Sequence, residues 1–144
     1  MPMLQRFYPS FFMSALRNSG ILSPSVENTF KAALFDDSAV FDSNNSIIED
    51  ISSYRLEDST RDVTINVSRD GFRVLFEVPE ISWNSLPDSS FQNVVIYKII
   101  AGKGSLLFMH IDLGSLLFPV GGNFTFTPDD ACIPNIDFDY QVCI

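Results

Sequence analysis

The stretch VTINVSRDGFRVLFEV, residues 63–78, decides how this chain is read. Val63, Ile65 and Val67 alternate with Thr64, Asn66 and Ser68. After Arg69-Asp70-Gly71, the residues Phe72, Val74, Phe76 and Val78 alternate again. Side chains on a strand point to opposite faces in turn, so each half has one apolar and one polar face. An Asp-Gly pair between two such runs is a strong hairpin signal, because the tight turn needs backbone angles that these residues adopt cheaply. Pro79 ends the second strand, since proline cannot donate to the ladder.

Outward from this hairpin, further strands are predicted at Thr29–Phe35, Asn93–Ile99, Ser105–Leu113, Asn123–Thr127 and Asp137–Ile144. The segment Asn93–Ile99 is apolar on both faces, as expected of a central strand covered on both sides. Gly102-Lys103-Gly104 and Gly121-Gly122 mark turns. The expected fold is all-β: an antiparallel β-sandwich of about seven strands with a short N-terminal helix. From Asp36 to Thr60 the chain is polar and rich in serine, which predicts a long loop with one turn of helix near Ile47–Ile51. Loops of this length usually carry contacts, so Asp36 and Asp37 are candidate interaction residues.

Residues 1–22 predict a helical arm, with 23–144 forming the sandwich domain. Leu4, Phe7, Phe11, Ala15 and Leu16 recur at helical spacing, Pro9 limits the start and Asn18-Ser19-Gly20 the end. The resulting stripe, with Phe7, Phe11 and Phe12, is covered either by the domain or by a neighbouring subunit. At the other end Phe138, Tyr140, Val142 and Ile144 share one face of the last predicted strand. A strand with one apolar face can complete a neighbour's sheet edge, so Phe138, Tyr140 and Val142 join the candidate interaction residues.

Composition narrows the function. The 144 residues are 46% hydrophobic and 19% charged, a globular balance. With 18 acidic against 9 basic residues the net charge is −9. Nucleic-acid affinity rests on lysine and arginine displacing counterions, and anionic membranes also attract basic segments, so neither partner is expected. Cys132 and Cys143 have no Cys/His cluster around them that would suggest zinc. Free thiols are the ordinary state of such a pair in an intracellular protein, and one disulfide is the alternative.

No residue pattern points to catalysis. His110 and Asp112 share a strand face and could serve as a base and its orienter, but no nucleophile motif lies beside them. A strand histidine at a subunit contact or sheet rim is the expectation. The acidic pairs Asp36-Asp37, Asp129-Asp130 and Asp137/Asp139 lack calcium-loop spacing and read as solvated turns. Trp83 is expected to anchor the edge of the core. The expectation is therefore a non-enzyme with no cofactor and no metal.

Four segments in order resemble a family of small structural proteins of tailed bacteriophages. MSALRNSGILSPSVENTFKAALF, residues 13–35, is similar to that family's short helix followed by a Thr-Phe-Lys-x-Ala-Leu strand. EDISSYRLE, residues 49–57, resembles the segment after its first long loop. ISWNSLPDSSFQNVVIYK, residues 81–98, carries the tryptophan, a later aromatic and the Val-Ile-Tyr run. LLFMHIDLGSLLFPVGGNFTFTPDDACI, residues 106–133, resembles the Asp-x-Gly strand end, the glycine turn and the paired-aromatic strand. The chain departs from the family at Ser59–Thr64, which lack its Gly-Tyr-x-x-Gly-Gly element, and in the added tail Pro134–Ile144.

The resemblance implies a virion protein made in the host bacterial cytoplasm. It implies head decoration, cement or fibre base, with the major capsid protein and other virion proteins as partners. The negative charge favours the capsid exterior, away from packaged DNA. Oligomerisation is expected, with a trimer first. A tail or baseplate component, and a receptor- or carbohydrate-binding module, are the alternatives.

Overall fold

The computed structural model describes residues 4–17, 29–70, 73–100, 104–127 and 135–137. The chain starts with strand β1 (Leu4–Phe7), helix α1 (Pro9–Arg17) and strand β2 (Thr29–Phe35). Two single turns of 3-10 helix, Ile48–Asp50 and Ser52–Tyr54, punctuate the next connection. Then come β3 (Arg61–Thr64), β4 (Asn66–Asp70), β5 (Arg73–Glu77) and β6 (Ile81–Trp83). The last are β7 (Phe91–Ile100), β8 (Gly104–Leu117), β9 (Phe124–Phe126) and β10 (Asn135–Asp137). The main sheet has the order β1-β8-β7-β2-β3, and β10-β5-β4 and β6-β9 form two smaller sheets. The pairings are antiparallel and the architecture is all-β and sandwich-like, as the period-two patterning predicts.

The run Val63–Val67 is expected to be one strand, but it divides at Ile65. Val63 pairs with Phe30 of the main sheet, whereas Val67 pairs with Phe76 across the hairpin. Ile65 sits between the two sheets and is fully buried. Val63 and Ile65 both line the core, one from the main sheet and one from the step between the sheets.

The main sheet buries both faces. On one side Phe30, Leu34, Val94, Ile96, Phe108 and Ile111 meet Phe11, Phe76, Ile81, Trp83 and Phe126. On the other, Ala33, Phe35, Val95, Tyr97 and Leu107 are covered by Tyr8, Ala39, Ile48 and Ile51. The loop expected merely to carry contacts therefore forms a covering layer. Its backbone is tied in as well: Leu107 N–H donates to the Ser46 carbonyl at 2.9 Å.

A bulge sets the centre of the core. Ile96 pairs with Met109 and Tyr97 with Leu107, which leaves Phe108 as an extra residue on β8. An extra residue lets neighbours share a face that strict alternation forbids. Phe108 accordingly meets Phe7, Phe11, Phe30 and Phe76 at ring-centroid distances of 5.3, 4.9, 5.0 and 5.2 Å. Such aromatic pairs contribute about 0.5–1.5 kcal/mol each beyond their buried area.

The N-terminus differs from the predicted arm over 1–22. Leu4–Phe7 is an edge strand of the main sheet, with Leu4 opposite Asp112 and Phe7 opposite Met109. Only Pro9–Arg17 is helical, close to the predicted Ser10–Asn18. Four residues are too few for helical and strand spacing to be told apart, and β6 is shorter still. Of the predicted last strand, Asp137 lies in β10, and residues 138–144 lie outside the described residues.

Candidate functional site

Lysine, arginine and histidine rarely sit in the middle of a buried strand without partners. His110 lies on β8, only 3% exposed, and both its ring nitrogens are engaged. Tyr8 Oη stands 3.1 Å from Nδ1, and Asn93 Oδ1 of β7 stands 2.9 Å from Nε2. Asn93 Nδ2 in turn donates to the Asp36 carbonyl at 2.8 Å. That last bond fixes the amide orientation, so Asn93 Oδ1 must accept from a protonated Nε2. Nδ1 is then bare and accepts the Tyr8 hydroxyl proton. One directional chain runs from Tyr8 through His110 and Asn93 to the start of the long loop.

Burial pushes the His110 pKa down to about 4, with Asp112 opposing that shift and Arg6 adding to it. Burial, with Asp42 nearby, pushes the Tyr8 phenol up. The imidazole is therefore neutral at pH 7, in keeping with the hydrogen-bond directions. Above it opens a cleft of about 180 Å³, lined by Leu4, Arg6, Asp37, Phe41, Gln92 and Asp112 among others. The Arg6 guanidinium lies 5.3 Å from the Phe41 ring centroid, a cation–π contact at the rim.

The base-and-orienter pairing of His110 with Asp112 is not formed. Asp112 Oδ1 accepts from Gly114 N–H at 2.8 Å and Gln92 Nε2 at 3.3 Å. The histidine is enclosed within the chain by Tyr8 and Asn93 and lines the floor of the cleft. Among the described residues no group of three His, Cys, Asp or Glu is placed to hold a metal, and no helix is long and apolar enough to cross a membrane.

A second surface was not singled out from the sequence. Between Phe91↔Leu117 and Asn93↔Asp112, β8 carries three more residues than β7, and Gly114 takes a φ of +88° there. Beyond it Leu117 still pairs with Phe91, and the end of β8 with the residues up to Val120 makes a largely exposed arm. Leu116, Phe118 and Val120 on it are 43, 64 and 83% exposed. The arm returns through Gly121 and Gly122, both at positive φ, and Gly122 O accepts Leu86 N–H at 2.8 Å. Residues 113–127 contain no charged side chain. Its signal in the sequence was that absence of charge, which a reading as core strand and turn explained too readily.

The predicted interaction residues are scattered. Phe11 is fully buried, and Phe7 and Phe12 pack on the same core, so these three aromatics are covered by the domain itself. Asp36 caps its own turn, with Oδ1 accepting Ser38 N–H at 2.9 Å, while Asp37 is exposed at the cleft edge. Phe138, Tyr140 and Val142 lie outside the described residues, as do Cys132 and Cys143. Trp83 is fully buried, stacked on Phe124 at 5.7 Å, and its Nε1 donates to the Ser59 carbonyl. It therefore offers no sugar-binding platform.

Compared with models of known protein families, with curated proteins and with solved structures, the chain matches none.

Proposed function

We propose that this domain is a structural protein of a tailed-bacteriophage virion, attached to the outside of the capsid as a decoration or cement protein. It acts by binding the shell protein and has no catalytic role. The observation that carries the reading is the arm at Leu116, Phe118 and Val120, apolar and exposed on an otherwise acidic chain. An apolar surface that water leaves readily is the usual centre of a protein interface. Free of charge over residues 113–127, the arm approaches a partner of either sign without repulsion. The ordered resemblance of four segments to phage structural proteins supplies the kind of partner.

Association of copies, a trimer first, belongs to the same proposal. Sedimentation of the isolated chain with and without residues 134–144 tests it, and a full-length monomer that binds no shell protein contradicts it. Imaging intact particles tests the station. Density for this fold on the capsid exterior is expected, and density confined to the tail or baseplate assigns the chain there instead.

A further inference from the structure

The cleft over His110 holds opposite charges that do not pair. Arg6 lines it from β1, Asp112 from β8 and Asp37 from the turn that opens the long loop. Among the described residues the Arg6 guanidinium makes no ion pair and rests on the Phe41 ring instead. One Asp112 oxygen accepts from Gly114 N–H and Gln92 Nε2, at 2.8 and 3.3 Å. Its other oxygen and the Asp37 carboxylate have no partner among the described residues. Opposite charges on neighbouring strands ordinarily meet, so a cleft that keeps them apart has donors and acceptors left for something else.

The charges are also sorted by strand. β8 lies between β1 and β7. Arg6 stands on the β1 side, opposite His110, whereas Asp37 follows Asp36, whose carbonyl is bonded to Asn93 of β7. Strands two apart in a sheet are separated by about 10 Å, so the cation and the loop carboxylate stand the width of one small molecule apart. The floor between them is an imidazole and an amide, His110 and Asn93, each only 3% exposed. Leu4, Val40 and Phe41 add apolar wall. At about 180 Å³ the cleft is smaller than the roughly 300–1,000 Å³ of sites for drug-sized ligands. A few convergent polar groups in an otherwise apolar cavity are the usual form of a small-molecule site.

We propose that this cleft binds a free α-amino acid with an apolar side chain. Its carboxylate pairs with Arg6, and its ammonium with Asp37 and the unengaged oxygen of Asp112. Its side chain lies against Leu4 and Val40. A simple anion satisfies Arg6 but faces two carboxylates, and a simple amine satisfies those but leaves the guanidinium alone. The end of a partner's chain carries one charge, not both. A small zwitterion meets both walls. The walls are set before it arrives, because backbone pairing fixes β1, β8 and β7 and the Asn93 bond to Asp36 fixes the loop. Little ordering is then needed on binding. Binding here does not depend on capsid attachment.

NMR titration of the isotopically labelled full-length chain tests the site. Each of the common L-amino acids is added to about 10 mM, enough to fill a site whose Kd is about 1 mM. Leucine, isoleucine or valine is expected to shift the amides of Arg6, Asp37–Phe41 and Asp112, and to leave those of Phe118 and Val120 unmoved. Isoamylamine is leucine without its carboxylate, and 4-methylpentanoate is leucine without its ammonium. Each is expected to bind at least about tenfold more weakly than leucine. Arg6→Gln is expected to abolish the advantage of leucine over isoamylamine, and Asp37→Asn to reduce its advantage over 4-methylpentanoate. Both residues are exposed, so both variants are expected to fold. The three-ligand comparison on wild type stands whatever a variant does. No shift in the cleft with any amino acid, an amine or acid that binds as tightly as leucine, or shifts confined to another surface each overturns the proposal.

Discussion

The hydroxyl of Tyr8 lies 3.1 Å from Nδ1 of His110, across 102 positions of sequence. Because the ring is buried and neutral, it contributes a pH dependence whose sign is fixed. A free histidine titrates near 6.5 and this one near 4, so the unfolded chain holds the proton more tightly between those values. The contribution is complete above about pH 6.5, declines as pH falls through the window, and is gone below about 4. Its size is about 3 kcal/mol. Urea unfolding of wild type and His110→Gln across this range isolates the effect from the carboxylates. A difference between the two that does not change with pH contradicts a buried neutral imidazole.

Phe76 tests the period-two reading. It is 1% exposed and meets Phe7 and Phe108 at 5.5 and 5.2 Å, while its neighbour Glu77 faces solvent. Phe76→Ala is expected to cost about 3–5 kcal/mol, for lost transfer energy plus the cavity. Glu77→Ala is expected to stay within about 0.5 kcal/mol. Equal losses at the two positions, read from urea midpoints, count against opposite faces.

Ser59 holds a position that no apolar side chain can fill. Its hydroxyl donates to the Leu56 carbonyl at 2.7 Å and accepts Leu34 N–H at 3.1 Å, and its carbonyl accepts the Trp83 indole N–H. β3 begins only at Arg61, so a side chain continues the ladder toward Leu34 where the backbone does not. Ser59→Ala leaves the Leu34 N–H buried without an acceptor and is expected to cost about 1–3 kcal/mol. Thermal unfolding measures it, and a neutral result means that the amide finds water.

The regular strands were legible because their neighbours are regular. Thr29–Phe35 was placed to the residue, and the two-faced apolar pattern of Asn93–Ile99 placed β7 at the centre of the main sheet. What failed depended on position in space. Phe7 and Phe11 have helical spacing, yet they belong to a strand and a helix that converge on Phe108. Asn93, polar and next to the apolar run Val94–Tyr97, was the overlooked sign that His110 had a buried partner on β7. Lys98 gave no sign at all: its ammonium sits 4.7 Å over the Phe30 ring within the core layer. The bulge at Phe108 and the three extra residues after Asp112 are invisible to any alternation count, because they are where alternation stops.

If the exposed arm docks this domain on the capsid, a double substitution at its tip reads it out. Phe118→Ser with Val120→Ser removes apolar surface that touches solvent, so the urea midpoint is expected to match wild type within about 0.5 kcal/mol. Copies per purified particle, counted by quantitative mass spectrometry, are expected to fall at least about tenfold, as loss of an interface centre predicts. Unchanged copy number in a folded double variant, or wild-type chain that is absent from purified particles, contradicts the account.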